Sequence, residues 1–342
     1  NVSNNLSLET MTLSSLTEVG GTVYLSSNNA IDVVYAPELT VIEGNLQFYS
    51  NNGLDAVDMP NLAEIEGQLS FEYNNAVEEV LFPDLEELNG RIYMYGNNNL
   101  QVVDFTGLTE VGSDLEIRSN SALETIALTN VEAINGSFQV QNAHQVSTLE
   151  MPKLLEVNGS FNLSYNDKLD HFGAPLFHDL SGSLTIRDNK DLRTVDLSSL
   201  ECIDDFTIVG NDLTLDSHHA LLIALTCRDG LVVFRSTDAD DFCATGETVV
   251  NDVYISPIDS EPVDLSCITG IEGQVEVEFA KTTAIDVSNA LYIGSFLNIH
   301  DNYDTESIDF TSLQTIGGSF NLNSNRDLSV ISIDGLLSID GQ

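Results

Sequence analysis

The chain has 342 residues, of which 54 are acidic and only 11 basic, giving a formal net charge of −43. Such a field repels nucleic acid and anionic membrane surfaces, and no basic stripe is present to neutralise phosphates. Apolar residues make up 42% of the chain, yet they never run on for the roughly 18 positions of a membrane-spanning helix. A continuous core is therefore expected, and a transmembrane segment is not.

From the first residues onward the sequence repeats. Segments of the form Gly-x-[LFVI]-x-[LVIF] are anchored at Gly21, Gly44, Gly67, Gly90, Ser113, Gly136, Gly159 and Gly182, each 23 residues after the last. The rhythm falters through Asp204, Gly230, Asn251 and Gly273, then resumes at Ser295, Gly318 and Gly341. Counted from an anchor, apolar residues recur at +2, +4, +10, +13, +15, +18 and +21, as in Leu115, Ile117, Leu123, Ile126, Leu128, Val131 and Ile134. Alternation at +2/+4 and again at +13/+15 has the strand period of two. Each coil thus carries two clear strands and a third apolar side at +18/+21. A single coil cannot bury that set, so coils must stack into parallel sheets around one shared core.

The corners have their own chemistry. Asparagine recurs at +7 in Asn28, Asn51, Asn74, Asn97, Asn120, Asn166, Asn189, Asn302 and Asn325, where its amide can bond turn backbone and the neighbouring coils. Proline falls at +16 in Pro37, Pro60, Pro83, Pro152 and Pro175, where its fixed φ and absent N–H end a strand.

Residues 204–272 are the irregular section of an otherwise continuous solenoid spanning 1–342. Within it, Ser217-His218-His219-Ala220-Leu221 through Cys227 predicts a short helix in place of the second strand, capped by Asp216 or Ser217. The four cysteines, Cys202, Cys227, Cys243 and Cys267, all lie in or beside this section. An even number without C-x₂₋₄-C spacing favours disulfides over zinc and points to an oxidising compartment. Nearest-coil pairing gives Cys202–Cys227 and Cys243–Cys267. The first residues already fit a coil, and Gly341 anchors one that does not follow, so the natural protein is expected to extend further.

The unit L-x-x-[IV]-x-[LMF]-P-x-L-x-x-[IV]-x-G-x-[LF]-x-[LIV], as it stands from Leu54 to Phe71, resembles the leucine-rich-repeat-like coils of receptor L domains. It is similar also to fungal cell-wall proteins of the sporulation and GPI-anchored type. The resemblance covers nearly the whole chain. It implies a mainly β, right-handed parallel β-helix-like solenoid and a cell-surface role in ligand binding or the cell wall. The array is longer than one typical L domain and cysteines do not bracket its ends, so no family ligand site is transferred.

No nucleophile motif, phosphate loop or zinc signature is present, and the expectation is an extracellular, cell-surface binding or adhesion module recognising a protein or glycan through an extended sheet face. The alternatives are a polysaccharide-acting β-helix enzyme using clustered carboxylates, for which pairs such as Glu72 and Glu116 near one face are expected by chance among 54 acids, and a structural or ice-binding solenoid. The outward +12 row, running from Val33 and Ala56 to Glu79 and His171, is too irregular to favour ice. Calcium is a candidate ion without a localised site; Asp238, Asp240 and Asp241 are read as an acidic loop, and Asp301 and Asp304 as another. The adjacent His218 and His219 would point apart on a helix. Sequons at Asn135, Asn158 and Asn162 would permit N-glycosylation in a eukaryotic host. The candidate ligand-binding residues are Tyr24, Tyr49, Tyr73, Tyr93 and Tyr95, with Gln47, Gln68, Arg91 and Arg118. Five of ten tyrosines thereby gather on or beside one outward face of four consecutive coils, and Arg187 and Arg235 occupy the same strand further along. About fourteen coils at roughly 4.8 Å each predict a rod near 65–70 Å long.

Overall fold

The computed structural model describes residues 1–200, 203, 206–214, 217, 221, 231–233, 236–257, 260–278 and 280–341. It is mainly β, and the strands pair in parallel from coil to coil. The chain divides into two compact units, Asn1–Cys227 and Arg228–Gln342.

In the first unit the +2 to +5 segments form a ten-stranded sheet running from Val2–Ser3 to Phe206–Val209. Its register joins each strand to the residues 23 positions away, so Leu69 faces Leu46 on one side and Ile92 on the other, except at the last pair, where Leu184 meets Phe206, 22 positions on. The third apolar side, expected without a firm strand assignment, is itself an eight-stranded sheet of two-residue strands from Glu18–Val19 to Asp179–Leu180. The second side is different. Its three-residue strands pair only in groups of three, with interruptions between Ala56–Asp58 and Glu79–Leu81 and between Thr125–Ala127 and Thr148–Glu150.

The core follows the sequence period. Phe48 stacks on Phe71 at 4.7 Å between ring centroids, and Phe138 on Phe161 at 4.5 Å; Ile31, Leu54, Leu100 and Leu123 close the corner beneath them, all fully buried. Pro37 takes the second position of a turn closed by the Leu39 N–H donating to Ala36 O at 3.2 Å. At the anchor corner the coils approach so closely that a Cβ on Gly90 would lie 2.4 Å from the carbonyl carbon of Gly67.

The +7 asparagines form a buried ladder. Asn51 Oδ1 accepts from the Asn28 backbone N–H at 3.0 Å and from its Nδ2 at 3.2 Å, while Asn51 Nδ2 donates back to Leu25 O at 3.0 Å. The pattern recurs through Asn74, Asn97 and Asn120 and again from Asn166 to Asn211. The residue before each rung has positive φ, and it is glycine only at Gly96 and Gly210; Ser27, Ser50, Tyr73, Ser119, Asn142, Tyr165 and Asp188 hold φ between 53° and 60°.

The second unit repeats the plan with five-stranded first and third sheets and a four-stranded second sheet. The rhythm falters in sequence because coils here are one residue shorter: Val253 pairs with Leu231 and with Val275. A helix, Ser236–Thr245, packs beside Val263–Asp264 where a second-side strand would otherwise begin the sheet. Asp238, Asp240 and Asp241 lie on this helix rather than in a loop. Asp238 sits in its first turn, where a carboxylate complements the helix dipole; Ala239 is buried; and Gly246 at φ +80° ends it. Cys243 on the helix is bonded to Cys267 of the next coil, with Cα atoms 5.6 Å apart. The helix expected near 217–227 falls almost wholly outside the described residues, as do Cys202, Cys227, His218, His219 and Arg235.

Ala143 stands where the ladder calls for asparagine: its N–H donates to Asn166 Oδ1 at 3.0 Å, but it offers Asn120 no acceptor. Restoring the rung with Ala143→Asn is expected to raise unfolding stability in urea by about 1 kcal/mol, whereas Asn97→Ala, which strips Asn74 of an acceptor and Phe71 O of a donor, should cost about 1–3 kcal/mol.

Candidate binding face

Outward positions on the first sheet form straight rows because the register is constant. One row runs Tyr24, Gln47, Ser70, Tyr93, Glu116, and the other Ser26, Tyr49, Glu72, Tyr95, Arg118. Tyr73 and Gln68 flank the strand Leu69–Glu72 at its two ends. The structure therefore brings most of the sequence-predicted residues onto one patch centred on the strands Leu46–Tyr49, Leu69–Glu72, Ile92–Tyr95 and Leu115–Arg118. Tyr24 lies in the same row, in register with Gln47, but takes no part in the ring contacts found among the described residues.

The rings interlock. Tyr73 meets Tyr49 edge-on at 5.8 Å and Tyr95 edge-on at 5.2 Å, and Tyr93 lies parallel to Tyr95 at 6.1 Å. Tyr49 and Tyr73 are the outermost, 40% and 41% exposed. Small Ser70, in register between Gln47 and Tyr93, is buried to 1% exposure.

Tyr73 is held in the left-handed region at φ 56°, which costs a bulky side chain energy and persists where the surroundings fix it. Its ring lies over Gly96 of the next coil, where a Cβ would come within 3.0 Å of Cδ1 and 3.1 Å of Cε1. Gly96 is at the same corner position that serine, tyrosine, asparagine and aspartate occupy elsewhere with positive φ. The other corners show that this backbone conformation accepts a side chain, whereas at Gly96 an added Cβ would require the Tyr73 ring to give way by a few tenths of an ångström.

Two arginines brace the rings. Arg91 stacks over Tyr93 with its guanidinium carbon 4.6 Å from the centroid and donates from Nε to Gln68 Oε1 at 3.1 Å. Arg118 lies 5.7 Å from both the Tyr93 and Tyr95 centroids and donates from Nη2 to the Tyr93 hydroxyl at 3.2 Å. Both pair with Glu116, Arg118 Nε at 3.4 Å and Arg91 Nη1 at 3.9 Å. Partial burial opposes the charge on Arg118, but the Tyr93 hydroxyl and Glu116 outweigh it and raise its pKa. Glu72 accepts from Ser70 Oγ at 2.9 Å. Glu72 and Glu116 are thus engaged separately, on strands with Ile92–Tyr95 between them. A smaller motif of the same kind, not anticipated from the sequence, places Arg187 5.8 Å from the ring of Tyr165, another left-handed corner residue, with Arg187 Nε 2.7 Å from Asp188.

Two further features lie elsewhere. A groove of about 470 Å³ opens at the first interruption of the second sheet, lined by Asp55, Asp58, Glu78, Glu79, Leu81 and Pro83 among others. On the outward face of the second unit, His300 is enclosed by carboxylates: Nε2 is 2.9 Å from Glu276 and 3.8 Å from Glu278, and Nδ1 is 3.0 Å from Asp301. Burial, aided by the charges of Glu276 and Asp301 and opposed by His300, pushes the Glu278 carboxyl up to about 7. Burial alone would lower His300, but the hydrogen bonds it donates to Glu276 and Asp301, with the charge of Glu278, raise it. Neither feature stands out in the sequence, because each brings together residues of neighbouring coils. Among the described residues, no group of three His, Cys, Asp or Glu side chains is placed to hold a metal ion, and no helix is long and apolar enough to cross a membrane.

No protein-family model, curated protein or solved structure matches this chain. Of what the receptor-L-like coil implies, the structure carries the stack of parallel coils.

The carboxylate–histidine cluster gives the second unit a signed pH dependence. Both groups hold protons more tightly folded than unfolded. The penalty for ionising Glu278 is absent below 4.5 and complete above about 7, and the stability lent by protonated His300 is full below 6.5 and lost as pH rises through its higher folded value. Thermal unfolding of the second unit should therefore have a lower midpoint at about pH 8 than at about pH 5. Glu278→Gln should unfold above wild type at the higher pH and close to it at the lower, as followed by circular dichroism.

Proposed function

We propose that the protein is an extracellular binding module, acting at a cell surface or matrix, that recognises a protein or glycan through the outer face of its first sheet. The observation that carries this reading is Tyr73: a bulky residue kept in a left-handed corner, its ring laid on Gly96 and wedged between Tyr49 and Tyr95. The same positive φ recurs at this corner in Ser27, Ser50, Ser119 and Tyr165, so what sets Tyr73 apart is the ring packed against its neighbours, which presents a surface of fixed shape. The surrounding rings and arginines are the side chains that dominate interface energies, because they offer broad contact with few rotors to freeze. The Cys243–Cys267 bond supports an oxidising compartment.

A second reading, a polysaccharide-acting enzyme, draws on a different observation: Glu278, with its raised pKa, stands beside Glu276, and unequal carboxylates are the machinery of glycoside hydrolysis. Depolymerisation of a polysaccharide by the purified chain, abolished in Glu278→Gln, would establish that reading in place of the first.

For the binding reading, a mixed protein and glycan array is probed with wild type and with the Tyr49→Ser, Tyr93→Ser, Tyr95→Ser triple variant. The variant should keep the wild-type unfolding midpoint and weaken binding to captured ligands by about 1–3 kcal/mol. Equal binding by a folded triple variant would move the site off this face.

A further inference from the structure

Resting on that reading, we infer that the tyrosine platform takes a neutral oligosaccharide, its sugar rings stacked on the tyrosine faces and its hydroxyls bonded by the polar side chains between them. The charge of the patch points there. Arg91 and Arg118 are balanced by Glu116 and Glu72, and both arginines are committed to Glu116 and to the tyrosine rings. With Asp114 heading the strand Leu115–Arg118, the patch carries two cations against three anions, and is thus close to charge balance on a protein whose formal net charge is −43. An anionic ligand would cross a repulsive field and meet cations already engaged, and a cationic one would be drawn to carboxylate surfaces such as the Asp55–Glu79 groove.

Shape points the same way. The platform lies on the outer face of a continuous sheet, with the exposed rings of Tyr49 and Tyr73 set edge-on to one another so that each can offer a face to a separate sugar ring. The carbon–hydrogen faces of pyranose rings suit exposed tyrosine faces, while Gln47, Glu72 and the tyrosine hydroxyls supply donors and acceptors at the edges. Tyr49, Tyr73 and Tyr95 come from successive coils, so the saccharide chain would run across the strands, from coil to coil. In this arrangement Gly96 is a positioning residue, since a Cβ there would press on the Tyr73 ring and shift it by a few tenths of an ångström.

The test uses an array of neutral oligosaccharides (β-glucans, xylans, mannans and chito-oligosaccharides) beside acidic ones (oligogalacturonates and heparin fragments), with titration of the hits followed by intrinsic fluorescence. The chain has ten tyrosines and no tryptophan, so that signal reports on tyrosine. A neutral saccharide should bind, with an affinity unchanged between about 50 and 500 mM salt, where an ionic contact would weaken. The triple tyrosine variant should bind at least about tenfold more weakly. Gly96→Ser, which keeps a side chain tolerated at this corner in Ser27, Ser50 and Ser119, should also lose affinity with an unchanged unfolding midpoint, and it serves should the triple variant fail to fold. Preference for acidic saccharides with steep salt dependence overturns the inference, as does the absence of any neutral hit. If neutral saccharides fail while an arrayed protein is captured through the same tyrosines, the saccharide inference falls and the binding module stands. If a saccharide binds and neither variant affects it, both fall at this face.

Discussion

An asparagine side chain has two donors and an acceptor that an isolated coil cannot satisfy, and it can be buried at the corner of this fold because the next coil presents the same residue in register. Asn51 shows the arrangement: its oxygen serves the coil before, and its nitrogen serves a carbonyl of that coil and the oxygen of Asn74. A slip of one residue would leave these buried amides unpaired, each at a cost of about 1–3 kcal/mol, as well as turning every apolar side chain outward. The ladder and the apolar period thus enforce the same 23-residue spacing, and the sheets follow from that agreement.

The candidate site inherits the same register. Constant spacing turns scattered outward residues into rows, so that Tyr49 and Tyr95, far apart in sequence, flank one strand, and Arg118 falls next to Tyr95. At Tyr73 the corner residue before a ladder asparagine lays its side chain along the same surface. Putting tyrosine there, with glycine under its ring, converts a turn position into part of the platform. The mixture of fixed rings and engaged arginines is a product of stacking, with no loop or insertion devoted to it.

Much of this could be read from the residues alone. The period placed Leu115, Ile117, Ile126 and Leu128 inside, the repeated Asn-x placements announced a ladder, and outward parity brought Tyr93, Tyr95 and Arg91 to one face. What escaped had no local signature. The left-handed corner was hidden because serine, tyrosine and aspartate occupy it where glycine would have announced it. The helix Ser236–Thr245 was hidden because its apolar face is reduced to Ala239, Phe242 and Cys243 among acids that read as a loop. The cluster around His300 was missed because it is made by outward residues of neighbouring strands, Glu278 in register with His300 and Glu276 diagonal to it, in a chain where outward carboxylates are everywhere.

The interrupted second sheet has a mechanical consequence. On the other two sides of the first unit the ladders of hydrogen bonds run unbroken, but on this side they stop after Ala56–Asp58 and again after Thr125–Ala127. Bending toward the continuous ladders can therefore widen two seams that already lack backbone bonds, while the three-coil blocks between them move as rigid segments. The unit is stiff along its length and compliant in one direction, like a slatted blind backed by an uncut sheet, and a partner that favours a different curvature would meet the least resistance at those two planes.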